Sequence, residues 1–147
     1  MPKLVMRDSN ISTVMSTELN SLASGSVTVS GVIDNTGGEY TFDDVELFTG
    51  SAACTPGAIK FAELFLIQSL DGTNFVDIDD GTNEPSVTMQ VGRFEFRATA
   101  SSPNRHIVRG ITIPPDKFKY VLANESGCAF ASSGNLLRRR PWVFNTV

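Results

Sequence analysis

The sequence predicts an all-β protein: an antiparallel β-sandwich of jelly-roll or immunoglobulin-like type, with about eight or nine strands and at most one short helix near the N-terminus. Three observations carry that prediction. Short stretches alternate apolar and polar residues with period two. Clusters of Gly, Pro, Asn and Asp separate these stretches at intervals of about 8–15 residues. Finally, no helical pattern alternates with them, as a parallel α/β sheet requires. At 147 residues, 41% of them hydrophobic, the chain has the size of one domain and needs no staple to hold a core. Residues 1 to 10 read as an extended N-terminal arm, and residues 11 to 147 as a single sandwich domain.

The arm, "MPKLVMR", sets Leu4 and Met6 on one side and Lys3, Val5 and Arg7 on the other, as a segment lying along a sheet edge does. In "STVMSTELNSLASG", Ser16 or Thr17 is placed to cap a helix of at most two or three turns, with Leu19, Leu22 and Ala23 at helical spacing before Gly25. Alternation then takes over. "SVTVSGVI" puts Val27 and Val29 on one face, and "DNTGG" turns the chain. In "YTFDDVELF", Tyr40 and Phe42 stand in one phase and Val45 and Leu47 in the other, which predicts a bulge at Asp43 and Asp44. "AIKFAELFLIQSL" is nearly continuous in apolar character, and periodicity leaves strand and helix open. Pro56-Gly57 before it and Asp71-Gly72 after it decide for a central strand.

"GRFEFRATA" turns Phe94, Phe96 and Ala98 inward and Arg93, Glu95 and Arg97 outward. "RHIVRGITI" groups Ile107, Ile111 and Ile113 on one face, with His106 and Val108 on the other. "KFKYVLANE" continues through Phe118, Tyr120 and Leu122, after the break at Pro114-Pro115. Gly134-Asn135 marks a turn or bulge before the last strand, which carries Arg138, Arg139, Arg140, Pro141 and Trp142.

Charge is split along the chain. Residues 8 to 84 hold a net charge of −12 and residues 85 to 147 a net +6, within a total of −4. Either acidic and basic strands neutralise each other across a shared sheet, which is the simpler expectation, or they form opposite faces that attract a neighbour. The arginine triplet likewise has two readings. It is a charged edge strand protected from pairing, or it is an interface in which Arg and Trp act as anchors. Candidate interface residues are Lys3, Leu4, Met6 and Arg7 in the arm, with Arg138, Arg139, Arg140 and Trp142 near the other end. Basic residues lack an interleaved stacking platform and the chain is acidic, so nucleic acid is not an expected partner. No apolar run reaches the length of a membrane span and the N-terminus has no apolar signal core, so a soluble chain without membrane contact is expected.

Chemistry finds little purchase. Cys54 and Cys128 lack metal or redox spacing and sit among small residues, where free thiols are the expectation. One histidine, His106, stands mid-strand with no G-x-S-x-G elbow in the chain, so no catalytic residues are assigned and an enzyme is not expected. Phosphate loops are missing, multi-His or multi-Cys metal sites are excluded by count, and no cofactor is implied. "SLDGTNFVDIDDG" fails the register of an EF-hand. An irregular calcium site using Asp77, Asp79, Asp80 and Glu84 is the functional alternative to a plain turn, in which Asp71-Gly72 supplies the positive φ and Asn74 tolerates the same region.

Three segments taken together, "LFLIQSLDGTNFVD", "ITIPPDKFKYVLANESG" and "ASSGNLLRRRPW", resemble in order and spacing a group of small tailed-bacteriophage proteins. There a strand ending in S-x-D-G-T-N-[FY] precedes an [LI]-P-P-x-K-F-K strand and a closing S-G-N-x-L strand. The resemblance covers residues 19 to 142. It implies a virion structural protein, within that class a capsid decoration or cement protein on the head surface, made in the host cytoplasm and often trimeric. Its partners are then the major capsid protein or other virion proteins. "RRRPWVFNTV" departs from the acidic tails common in that group. A tail, collar or head-fibre protein shares the expected fold, and a carbohydrate-binding module is the alternative of a different class.

Overall fold

A computed structural model describes residues 2–51, 60–76, 83–96 and 103–147. Among the described residues ten strands form, in chain order: β1 (Leu4–Asp8), β2 (Ser12–Met15), β3 (Ser26–Val29), β4 (Ile33–Asp34), β5 (Phe42–Thr49), β6 (Lys60–Ser69), β7 (Gln90–Phe96), β8 (Asn104–Thr112), β9 (Lys117–Glu125) and β10 (Leu136–Thr146). All pairings are antiparallel. The strands divide into two sheets of five. One runs β1-β10-β5-β8 with β2 also on β10, and the other runs β3-β9-β6-β7 with β4 also on β9.

The pairings nest. β1 and β2 pair with β10, β3 and β4 with β9, β5 with β8, and β6 with β7, so the chain is one long antiparallel hairpin rolled up on itself. Contacts β10–β5 and β9–β6 then close the roll into two layers. That is a jelly roll, which settles the choice left open by the sequence.

Between the sheets lie Val45 and Leu47, Leu64 and Leu66, Phe94, Ile111, Phe118, Tyr120, Leu122 and Leu137, all buried. The apolar run of β6 is a central strand because both its faces are covered. Leu64 and Leu66 face the core, while Phe65 and Ile67 face outward under Phe75 and Met89. On β7, Gly92 lets the two sheets approach at one edge: a Cβ there would stand 2.7 Å from Val108.

Several local expectations are corrected. Ser16 stands at the N-cap position but makes no side-chain cap bond, and no helix of two or three turns follows it. A single 3-10 turn, Thr17–Leu19, forms instead, and the Glu18 carboxylate accepts from the Ser16 N–H. The alternation of β5 runs unbroken, because Asp43 takes a core-facing position and is fully buried. The extra residue of the bulge lies on β8 rather than β5: Asp43 pairs with Ile111 and Val45 with Val108, with Gly110 at φ +68 between them. This bulge reverses the phase, so Ile107 faces solvent while Ile111 and Ile113 are buried. Strand β10 is no edge strand, since it lies between β1/β2 and β5. Cys128 is disulfide-bonded, which overturns the free-thiol reading. The one other cysteine, Cys54, lies outside the described residues, as do Arg97 and Ala98.

Candidate interface on the outer face of one sheet

Period two decides which side chains share a face. On β10 the even positions Arg138, Arg140, Trp142 and Phe144 point outward. Arg139 is almost covered, and its partner is the buried Asp43. Register then assembles the rest of the face. Met6 lies opposite Phe144, Leu4 opposite Thr146, Phe42 opposite Trp142, Asp44 opposite Arg140 and Glu46 opposite Arg138.

Two zones result. The first is apolar. Phe42 stacks on Trp142 with centroids 4.5 Å apart, and Phe144 meets the indole edge-on at 5.1 Å. Leu4, Met6 and Phe144 extend this strip and are 60%, 52% and 49% exposed. Pairing of β5 with β10 ends at Trp142, whereas β1 accompanies β10 to Thr146, and Lys3 and Val147 exchange backbone hydrogen bonds beyond it. Leu4–Asp8 and the end of β10 therefore form a two-stranded ribbon that runs past the sandwich, with every residue of β1 exposed.

The second zone is a charged ladder. Arg138 donates to Glu46 through Nε at 3.0 Å, and Arg105 reaches the same carboxylate at 3.8 Å from β8. Asp44 accepts from Arg109 at 2.9 Å, from the Gly110 N–H at 3.0 Å and from the Trp142 indole N–H at 3.1 Å, with Arg140 at 3.7 Å. One carboxylate thus pins the bulge and orients the tryptophan. A depression of about 250 Å³ is lined by Asp44 and Glu46, by Arg109, Arg138, Arg139 and Arg140, and by Ile11 and Ile107. Basic β8 and β10 flank acidic β5, so part of the charge split of the sequence resolves into cross-strand pairs on Asp43, Asp44 and Glu46.

The structure brings Leu4, Met6, Arg138, Arg140 and Trp142 onto one face. Arg7 bonds Glu39, and the Arg139 guanidinium turns to the buried Asp43 although Arg139 also lines the depression. Phe144 was legible from its parity with Trp142. Phe42, Arg105 and Arg109 were not, since only strand pairing brings them alongside. His106 is half-buried on the inward side of β8 and meets the Phe96 ring edge-on at 5.9 Å. Of the calcium alternative, Asp77, Asp79 and Asp80 lie outside the described residues, and Glu84 faces Glu63. Among the described residues no group of three or more His, Cys, Asp or Glu is placed to hold a metal.

No protein-family model and no curated protein matches the chain. Solved structures do share its outline. A protein of Sulfurospirillum deleyianum is 9% identical over 99% of each chain, with a TM-score of 0.39. A turnip yellow mosaic virus structure is 11% identical over 98% of this chain and 80% of that one, with a TM-score of 0.34. A carbohydrate-binding module in complex with calcium and xylotriose is 11% identical over 97% and 99%, with a TM-score of 0.35. At these TM-scores the likeness carries no argument about this chain.

Proposed function

We propose that this chain is a virion structural protein of a tailed bacteriophage, a decoration or cement protein that binds the head shell and acts by contact rather than catalysis. The observation that carries the reading is the outer face of the β1-β10-β5-β8 sheet, where Met, Phe, Trp and Arg side chains stand together beside a projecting ribbon. That composition is the one favoured at the buried centre of protein interfaces. Free backbone edges on the ribbon suit addition of a strand from a neighbour. The disulfide at Cys128 suits a protein displayed on a released particle, where oxidation persists. The three motifs that resemble the phage group supply the shell as partner.

Co-sedimentation with empty capsids tests the proposal. Wild-type protein is expected in the pellet, and Met6→Asp with Phe144→Asp in the supernatant. Equal pelleting of both removes the ribbon from the mechanism. Point changes are preferable to deleting residues 1 to 10, because deletion also uncovers the edge of β10. Mass spectrometry of separated heads and tails distinguishes the head from the tail, collar and fibre alternatives. For the carbohydrate alternative, stacked Phe42 already occupies one face of the Trp142 indole.

A further inference from the structure

Whether the border of a sheet can receive a further strand depends on where its outward backbone groups go. Strand β1 is the border of its sheet, paired with β10 alone. Lys3 and Val147 exchange N–H and C=O bonds, so by the alternation of an antiparallel ladder Val5 and Arg7 also bond β10, while the N–H and C=O groups of Leu4, Met6 and Asp8 point away from it. Among the described residues nothing takes up those outward groups.

The other borders are blunted. Strand β8 carries the Gly110 bulge and the exposed Arg105 and Arg109, and β7 has an extra residue, Val91, between its pairings with Leu64 and Phe65. Strands β3 and β4 are four and two residues long. By contrast, the five residues of β1 pair one to one with β10, without a bulge and without an internal proline or glycine.

We infer that two copies of this chain join by antiparallel pairing of β1 with β1 about a two-fold axis at Met6, which carries the β1-β10-β5-β8 sheet from one copy into the other. Register argues for this partner. Outward groups belong to even-numbered residues, so hydrogen-bonded pairs must be even with even. With Met6 opposite the second copy's Met6, Leu4 lies opposite Asp8 and Val5 opposite Arg7, and every outward group of β1 finds a partner. A slip that sets Leu4 opposite Met6 also sets Lys3 opposite Arg7, and one that sets Met6 opposite Asp8 sets Arg7 opposite Arg7. Further slips place Met6 opposite Pro2, which has no N–H, or Asp8 opposite Asp8. Like charges directly opposite are destabilising, so one register remains.

The side chains agree with it. A two-fold normal to the sheet keeps the same face outward in both copies, so Leu4, Met6 and Phe144 of each, all exposed, make one apolar strip across the join. Such a contact is isologous and closes at two copies. It consumes the edge of the ribbon and leaves the outer face open, so it goes beyond shell binding and does not depend on it.

Sedimentation velocity of the full chain is expected to give the mass of two chains at about 100 μM and to fall toward one chain on dilution. Met6→Pro removes the central outward donor without breaking a bond to β10, and is expected to weaken association about tenfold or more. Cysteines read the register. Across a hydrogen-bonded pair the Cα atoms stand about 5.5 Å apart, within disulfide reach, so Met6→Cys is expected to yield a covalent dimer under mild oxidation. Leu4→Cys is equally exposed, but its counterpart lies four positions along the second strand, about 14 Å away, and about tenfold less dimer is expected. These two variants decide the matter where Met6→Pro does not fold. A mass of one or of three chains at the higher concentration, a folded Met6→Pro that associates like wild type, or equal cross-linking of the two cysteine variants overturns the inference. Capsid co-sedimentation reads shell binding apart from it: two-chain protein left in the supernatant sinks the shell reading alone, and one-chain protein in the pellet sinks this inference alone.

Discussion

The two sheets are alike in strand number and unlike on their outer faces. On the β3-β9-β6-β7 sheet, Phe65, Ile67 and Val121 point outward yet are 2% exposed or less, because Phe75 and Met89 and neighbouring valines cover them. On the other sheet, Leu4, Met6 and Phe144 also point outward and are about half exposed or more, with none of the described residues laid over them. One face is closed by the protein itself, and the other keeps apolar surface in contact with water. Such surface, rimmed by charge, is what partner binding consumes.

The same substitution separates the two faces. Phe65→Ala opens a cavity in a sealed layer and is expected to cost about 3–5 kcal/mol in urea unfolding. Phe144→Ala, on the open face, is expected to cost less than about 1 kcal/mol and to weaken shell binding instead. Equal costs at the two positions abolish the distinction between the faces.

Much of this contrast was legible in the sequence. The apolar run of β6 with its flanking turns pointed to a central strand, and the arm with its alternating Leu4 and Met6 to an extended segment along a sheet edge, where β1 pairs with β10. Parity along β10 was there to set Arg138, Arg140 and Trp142 on one side, but the sequence reading kept Arg139 with them, whereas it turns to the buried Asp43. What failed did so for identifiable reasons. Asp43 broke the hydrophobic phase of β5 because a charged residue fills a core position, which pattern reading takes for a shift in the backbone. Gly110 hid the true bulge, since a single glycine in β8 reverses the face of Ile107 without changing composition. Arg105 and Arg109 joined the ladder through register between strands more than 50 residues apart in the chain, where one sequence carries no signal. The bond at Cys128 depends on proximity that spacing does not encode.

A smaller effect tests what holds the two faces back to back. Tyr120 on β9 donates to the Asp43 carboxylate on β5 at 2.6 Å, across the core, and Arg139 donates to the same oxygen at 2.8 Å. Burial pushes the Asp43 carboxyl above its ordinary value, against the pull of Arg139 and Tyr120. Tyr120→Phe is expected to cost about 1.5–3 kcal/mol, the range for a bond to a charged group, and to raise that carboxyl further. The sign follows from the raised folded value. The native state binds the Asp43 proton more readily than the unfolded chain does, so this group favours the fold increasingly as pH falls toward and below its folded value. In Tyr120→Phe that acid-side gain is expected to widen and to begin at higher pH. A stability difference of zero between the two proteins at pH 7 means the bond across the core contributes nothing.

The smallest effect concerns how the sealed face is closed. Gly72 takes φ +76, as the turn reading expects, and Asn74 does not use the left-handed region it tolerates. Instead Asp71 organises the turn. Its carboxylate accepts from the backbone N–H groups of Thr73 and Asn74, from the Asn74 side chain and from the Ser69 hydroxyl. Those donors, Asn74 foremost, hold the Asp71 carboxyl well below the usual carboxylate range. A lowered folded value gives stability that is complete above the unfolded value of 3.8 and is lost as pH falls through the folded one. The turn leads directly to Phe75, so its loosening uncovers Phe65 and Ile67. Asp71→Ala is expected to melt earlier than wild type at pH 7, with faster amide exchange at Asn74, and the gap in melting temperature is expected to narrow as pH drops below 3.8. A gap that holds constant into strong acid means the turn is set by Gly72 alone, and that the sealed face owes nothing to the charge beside it.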